Sequence, residues 1–283
     1  MMVNENVDFY NRKTDTYIVA YFDLLGVASR IKSDMEKQQV SMNKLHNLYT
    51  FSMNLTKKIQ ISGNQEIQFK IFSDNIIIAK RISENGRLED INCLLSCAAH
   101  FQELAASDSV GWMLRGGITI GQLFIDEVMV WGEALVKAYF LEDKVAVYPR
   151  VILDSNVVSE IIDYSILSEY MRKDFDDLIF LNYLNNCHFC GEMLKNGFEL
   201  MKEELGDSWD ERMQQKFSWH MNYINSELDR KNEKKDKKYR LTLKYCKQKW
   251  NYCGVCWLAS RYPIPLWSTS SPKLRRQYNG KPF

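Results

Sequence analysis

The alternation of apolar and polar positions in the first half of the chain predicts strands and helices in turn. Residues 16–22 are mostly β-branched or aromatic and are followed by Asp23 and a turn, which predicts a strand that ends there. The apolar residues within 41–61 recur at helical spacing. Two further apolar runs flank the turn-forming residues 73–75, which predicts a hairpin with Asp74 at its tip.

The following segments complete a β-α-β-β-α-β order. We predict a helix, a strand, a second helix and a short strand at residues 90–104, 113–120, 132–142 and 150–153. This order is the split βαβ pattern of ferredoxin-like α/β domains, of the α+β type. We therefore predict one such domain over residues 1–156.

The remaining residues, 157–283, have a different character. They are charged and mostly helical in pattern, with amphipathic stretches at 199–204 and 210–228. The run 229–238 is dense in Lys, Asp and Glu, which is typical of a solvated loop or helix end. We predict a helical C-terminal extension with a loosely ordered tail over residues 262–283.

Charge and composition narrow the class of protein. The chain has 37 basic and 36 acidic residues, so its net charge of +1 does not favour binding to nucleic acid or to a membrane surface. Its apolar stretches are too short to span a bilayer, and its first residues lack the apolar core of a signal peptide. Seven cysteines without such a signal favour reduced thiols, and we expect a cytoplasmic protein.

Two carboxylates occupy positions that suggest chemistry. Asp23 closes an apolar strand, and Asp74 lies at the hairpin tip. The first strand and the hairpin are neighbours in a βαββαβ sheet, so the two carboxylates can converge. Either Asp alone is explained by a turn. Together they favour a site for Mg²⁺ or Mn²⁺, which bind through one or two carboxylates plus substrate phosphate oxygens.

Four blocks of sequence in a fixed order make the interpretation more specific. They are YFDLLG at 21–26, KIFSD at 70–74, RGGITIG at 115–121 and GEALVKAYFLE at 132–142. In these blocks the chain resembles the class III nucleotidyl cyclases, which convert a ribonucleoside triphosphate into a cyclic nucleotide. The resemblance implies a class III cyclase domain with the ferredoxin-like fold.

The resemblance also implies roles for the carboxylates. Asp23 and Asp74 would bind two ions, Mg²⁺ or Mn²⁺, and the backbone carbonyl of Leu24 would bind one of the two. Paired ions in such a site activate an attacking oxygen and neutralise the leaving group. The implied reaction is attack of the 3′-hydroxyl on the α-phosphate, with loss of pyrophosphate.

A nucleotide pocket and a partner subunit are implied in the same way. Tyr21 would line the pocket and Lys70 would reach the base, although Lys70 can also be interpreted as an ordinary solvent-facing lysine. Arg115 would face the phosphates and a second subunit, because class III sites form between two copies of the chain; a surface ion pair is the alternative. The expected assembly is a homodimer.

Three positions depart from the family pattern. Where the family's helix offers an Asn and an Arg, this chain has Val136 and Phe140, whose side chains cannot donate a hydrogen bond. Where purine cyclases place a base-selecting Asp, it has Met129. Either the chain is a non-catalytic nucleotide-sensing module, or its substrate contacts are rearranged. The retained metal carboxylates favour rearrangement, because without an ion they repel each other.

These departures make the chain similar to the pyrimidine cyclases of bacterial Pycsar antiphage systems. Those enzymes make cyclic UMP or cyclic CMP, which activates a separate effector. A carboxylate at Met129 would repel a uracil carbonyl, so its absence favours UTP first and CTP second as substrate. A nearby cation could replace the missing Arg; the sequence offers Lys137, Arg115 and Lys144 without choosing among them.

Cysteines suggest two further interpretations. CxxC pairs at 187–190 and 253–256 have the format of a zinc site, but their separation favours free thiols. Cys93, Cys97 and His100 share one face of a predicted helix, where core packing is the better explanation. The sequence has no GxxxxGK[ST] loop, which argues against P-loop nucleotide hydrolysis.

Overall fold

The computed structural model describes residues 12–36, 40–61, 67–185, 191–205 and 210–235, which lie almost entirely in one compact unit, Met1–Glu233. The strands in these ranges are β1 (Asp15–Leu24), β2 (Ile67–Phe72), β3 (Asn75–Arg81), β4 (Leu114–Ile125), β5 (Val130–Trp131), β6 (Val151–Leu153), β7 (Met171–Lys173) and β8 (Ile179–Leu181). The helices are α1 (Val27–Glu36), α2 (Val40–Ile61), α3 (Arg87–Ala106), α4 (Glu133–Phe140), α5 (Ser155–Ile161), α6 (Ser165–Ser168), α7 (Gly191–Leu205) and α8 (Glu211–Lys235).

One mixed sheet organises these elements. Its strand order is β2-β3-β1-β4-β6-β8-β7, and β5 pairs with β4 beside this path. Strand β1 runs antiparallel to both of its neighbours, β3 and β4, while β4 and β6 are parallel. The predicted ferredoxin-like α+β fold is confirmed, including the hairpin formed by β2 and β3.

Both faces of the sheet are covered, which explains the nearly continuous apolar sequence of β1. Ile18 and Phe22 face the larger core, together with apolar residues of α2 and α3. Val19 lies on the opposite face in a second cluster with Ala134 and Ala138 of α4. A strand buried on both faces lacks polar alternation, as residues 16–22 do.

A glycine in β4 lets α4 approach the sheet closely. A Cβ atom built on Gly117 would lie 2.4 Å from Cβ of Leu141 and 2.6 Å from the carbonyl oxygen of Ala138. Any side chain at this position would therefore push the end of α4 away from the strand. Beyond Phe140 the helix continues as a π-helical turn, Leu141–Val145, which brings Glu142 over β4.

Parts of the fold differ from the sequence prediction. Helix α1 was not predicted, and β7 and β8 lie in a segment whose pattern is helical and charged. Strands of three residues are too short to show a period of two. The amphipathic stretches predicted near residues 199–204 and 210–228 are helical in α7 and α8. The division after residue 156 stays a prediction.

Two predictions lie wholly or partly outside the described residues. Both CxxC pairs and the tail over residues 262–283 fall there. Core packing of the α3 thiols is confirmed, since Cys97 is buried and Cys93 packs against the same core. None of the helices in the described ranges is long and apolar enough to cross a bilayer.

Candidate active site

The register of three strands brings the predicted metal ligands together. Asp23, near the end of β1, lies opposite Asn75 on β3 and opposite Arg115 on β4. The backbone N–H of Leu24 donates to the backbone carbonyl of Asp74 at 3.2 Å. The hairpin tip and the end of β1 are thus joined by a hydrogen bond. Leu24 itself is buried, so only its backbone can serve the site.

Arg115 links two carboxylates of its own chain. Its Nε donates to Oδ2 of Asp23 at 3.2 Å and lies 2.7 Å from Oε1 of Glu142. The single N–H of this nitrogen is directed at Asp23. Within the described part of the chain, Oε1 of Glu142 accepts no hydrogen bond. The Glu142 side chain is only 4% exposed, so it has lost nearly all of its hydration. Because Oε1 accepts no hydrogen bond, the ion pair with Arg115 offsets only part of that loss.

The electrostatics follow from this crowding of negative charge. Burial raises the pKa of Glu142 to about 7, against the charge of Arg115 and with a further contribution from Asp23. Burial also raises the pKa of Asp23; the hydrogen bond and charge of Arg115 oppose that change, and the charge of Asp74 adds to it. These carboxylates therefore favour any added positive charge near them.

Aromatic side chains line the approach to the carboxylates. The hydroxyl of Tyr21 donates to Oδ1 of Asn75 at 2.7 Å, and Nδ2 of Asn75 donates to Oδ1 of Asp74 at 3.2 Å. The rings of Tyr21 and Tyr139, the latter on α4, make a T-shaped contact with centroids 5.5 Å apart. Burial raises the pKa of Tyr21 to about 12, so the phenol stays protonated and can orient Asn75.

The predicted base-reading residues lie toward the hairpin and the β4–β5 loop. Lys70 is on β2, and its charge acts on Asp126 in that loop. Met129 is exposed. Oδ1 of Asp126 accepts from the backbone N–H groups of Val128 and Met129, each at 2.8 Å. Oδ1 of this loop carboxylate therefore stabilises its own turn, while Oδ2 lies 3.9 Å from Nε of Arg12.

The positions that depart from the family pattern are on the outer face of α4. Val136 and Phe140 are 67% and 54% exposed. Of the cations offered by the sequence, Lys137 is paired with Asp154 at 2.5 Å and Lys144 with Asp143 at 2.7 Å. Of the three, Arg115 is the candidate that contacts a predicted metal carboxylate, Asp23.

Sequence reasoning missed two charged groups of this site. In the sequence, Glu142 is only the last residue of a helix motif, and its burial follows from the π-helical turn, which hydrophobic periodicity does not reveal. Lys216 comes from α8, and its charge acts on Asp23, Glu142 and Arg115. A signal was present for Lys216, because it occupies the apolar face of a predicted amphipathic helix.

The donors at this point of the sheet fit a hard divalent cation. Carboxylate and carbonyl oxygens of Asp23, Asp74 and Leu24 are the ligand types that Mg²⁺ and Mn²⁺ prefer. Among the described residues, no group of three or more His, Cys, Asp and Glu side chains is arranged to hold a metal ion. Mg²⁺ commonly binds through one or two carboxylates and substrate phosphates, so such a group is not required.

Comparisons with known proteins give similarity in fold. No protein-family model and no curated protein matches the chain. The adenylyl cyclase CyaB from P. aeruginosa is 17% identical, with 59% of this chain and 92% of that chain covered and a TM-score of 0.40. The guanylate cyclase domain of RhGC from Catenaria anguillulae, in complex with GTP, is 12% identical, with coverages of 52% and 82% and a TM-score of 0.40.

A bacterial light-regulated adenylyl cyclase is also similar. It is 12% identical, with 70% of this chain and 59% of that chain covered and a TM-score of 0.42. At such identities the similarity concerns the arrangement of strands and helices. Any assignment of activity has to rest on the residues of this chain.

Proposed function

We propose that this chain is a class III-type nucleotidyl cyclase that works with two Mg²⁺ or Mn²⁺ ions. The observation that carries the proposal is the junction of β1 with the β2–β3 hairpin, where Asp23 and Asp74 belong to directly hydrogen-bonded backbone segments. The four sequence blocks of the resemblance supply the elements around this junction. Two carboxylates held on adjoining backbone segments can share the binding of paired ions, which is what a two-metal phosphoryl site requires.

In the proposed reaction, each residue near the junction has a task. Asp23, Asp74 and the carbonyl of Leu24 would hold the ions, which supply neutralising charge for the triphosphate and activation of the 3′-hydroxyl when bound. Arg115 lies beside Asp23, so its guanidinium is within side-chain reach of phosphate oxygens held there. Tyr21 would form the pocket wall through its contact with Tyr139.

The proposed substrate is UTP, with CTP as the second candidate. Lys70 can donate to a base carbonyl, and the loop residue Met129 offers no carboxylate to an exocyclic amine. Asp126 is bound to its own loop backbone and does not change this balance. By the resemblance to the Pycsar enzymes, the cyclic product would be a second messenger for a separate effector in antiphage defence.

A homodimer is part of the proposal. Large apolar side chains are exposed along one continuous stretch of the chain, on the β4–β5 loop, β5 and α4: Val128, Met129, Trp131, Val136, Tyr139 and Phe140. Exposed apolar patches of this kind mark interaction surfaces. We propose that two copies of α4 meet there. If the fully active protein sediments as a monomer, the proposed homodimer is contradicted.

One experiment tests the substrate. The four ribonucleoside triphosphates are mixed at equal concentrations with Mn²⁺ and the protein, and the cyclic products are identified by mass spectrometry. We expect cyclic UMP to exceed the purine products by about ten- to a hundredfold, since an unpaired buried polar group costs about 1–3 kcal/mol. Cyclic AMP or cyclic GMP as the main product contradicts the substrate assignment.

A non-catalytic nucleotide sensor is the second candidate. The observation that favours it is the replacement of two donor positions on α4 by Val136 and Phe140, which leaves that face apolar. A sensor binds a triphosphate without releasing pyrophosphate. Equilibrium binding of UTP with no pyrophosphate after prolonged incubation with Mn²⁺ selects this alternative.

A further inference from the structure

A partly buried lysine of α8, Lys216, lies on the side of the helix that faces the core. Met213, Phe217, His220 and Ile224 are the apolar-face residues of α8, and they pack into the core or are buried in it. Lys216 lies three residues after Met213 and four before His220, so it shares this face. It is partly buried. A lysine at a core-facing position loses hydration, which has to be offset by a charge partner.

The position of Lys216 follows from contacts of its neighbours. The backbone N–H of Gly116, next to Arg115, donates to the carbonyl of Arg150 at 3.1 Å. The guanidinium of Arg150 lies 5.9 Å from the ring centroid of Trp219, one turn after Lys216 on α8. Nε1 of Trp219 donates to Asp174 at 2.9 Å. These contacts connect the first half of α8, through Arg150, to the backbone of the strand that carries Arg115.

No carboxylate of the described residues lies within ion-pair distance of the Lys216 ammonium. Burial lowers its pKa, the charge of Arg115 lowers it further, and the more distant charges of Asp23, Asp210 and Glu142 oppose this. The positive charges of Arg115 and Lys216 therefore act on each other, and both act on Asp23 and Glu142. An anion placed between them would relieve their repulsion.

We propose that Lys216 is a phosphate-binding residue of the site and that it supplies part of the positive charge missing from α4. This inference rests on the proposed function and names the residue that completes it. The triphosphate would lie between Lys216 and Arg115, with the metal ions on the side of Asp23. Lys137 and Lys144 are occupied by Asp154 and Asp143, which leaves Lys216 as the better placed lysine among these three.

Binding of a non-cyclisable analogue tests this without relying on turnover. The probe is α,β-methylene-UTP with Mg²⁺, measured by isothermal titration calorimetry on the full chain. Lys216→Met should weaken binding about ten- to a hundredfold, because a hydrogen bond to a charged group is worth about that factor. Lys216→Arg should keep most of the affinity. Lys202→Met, the same change at an exposed position of α7, is the control and should bind like wild type.

Thermal unfolding separates phosphate binding from a structural role. Met fits the apolar face of α8, so the melting temperature of Lys216→Met without ligand should not fall below that of wild type. If Lys216→Met without ligand melts at a lower temperature than wild type, and is partly unfolded at the temperature of the titration, the lost affinity has a structural cause and the inference is overturned. Unchanged affinity in Lys216→Met, with wild type binding the probe, overturns the inference alone. A wild-type protein that binds none of the four α,β-methylene triphosphates overturns the proposed function and this inference with it.

Discussion

At the scale of single residues, the site is defined by an excess of negative charge around one guanidinium. Asp23 and Glu142 both approach Nε of Arg115, and one N–H cannot serve both. Glu142 is left with a buried oxygen and a pKa raised to about 7. The ion pair is therefore poorly compensated in the free protein, as suits a site that is completed by added cations.

This environment predicts how stability depends on pH. The pKa of Glu142 is about 7 when folded and near 4.5 when unfolded, so the folded state binds more protons between these values. The stability contributed by protonated Glu142 is present below about pH 4.5 and is lost as pH rises through about 7. In EDTA, the free energy of unfolding of Glu142→Gln relative to wild type should increase by about 1–3 kcal/mol from pH 5 to pH 8.

Urea unfolding at several pH values measures this change. The groups that act on Glu142 are Arg115, Asp23, Asp143 and Lys216, and the variant leaves all of them in place. Glu127→Gln, at an exposed loop position, is the matched control. The interpretation of Glu142 is wrong if the free energy of unfolding, relative to wild type, depends on pH in the same way for Glu142→Gln and Glu127→Gln.

At the scale of elements, the contact between β4 and α4 fixes the position of Glu142. Gly117→Ala places a methyl group 2.4 Å from Cβ of Leu141, which forces the π-helical turn away from the strand. We expect a loss of about 1–3 kcal/mol in the free energy of unfolding, as for other overpacked sites. Gly121→Ala is the matched control, because its new Cβ meets Ala134 at 3.2 Å and needs only a small shift. Equal stability of the two variants in urea unfolding contradicts this account.

Elements with a clear period or a turn signal were predictable from the sequence, and the others were not. Asp74 was placed at a hairpin tip because apolar runs flank a turn-forming triplet, and the structure has this hairpin. The proximity of Asp23 and Asp74 is predictable from the βαββαβ topology alone, because the first strand and the hairpin are neighbours in such a sheet. By contrast, β7 and β8 are too short to show a pattern. Relations between distant segments, such as the effect of the Lys216 charge on Asp23 and Glu142, depend on tertiary packing that one sequence does not specify.

At the scale of the whole molecule, the sheet joins the two halves of the sequence. Strands β7 and β8 extend the sheet beyond β6, and α8 packs against them through Trp219 and Tyr223, which contact Phe180. Arg172 pairs with Glu227 of α8 and anchors the helix further along. Residues after 156 are thus part of the framework that holds Lys216 near the site. Helix α4 carries the exposed apolar residues Val136, Tyr139 and Phe140, which we propose as part of the dimer contact.

The most direct test of the central claim is the stoichiometry of the reaction and its dependence on one carboxylate. Wild type and Asp74→Asn are incubated with UTP and Mn²⁺, and cyclic UMP and pyrophosphate are quantified together. The Asn side chain keeps the shape of the hairpin residue but loses the charge that holds an ion. We expect equimolar products from wild type and at least about a hundredfold less from folded Asp74→Asn, since removing one buried charge contact costs about 3 kcal/mol or more. Similar product from both proteins, or release of orthophosphate in place of pyrophosphate, contradicts the two-metal cyclase.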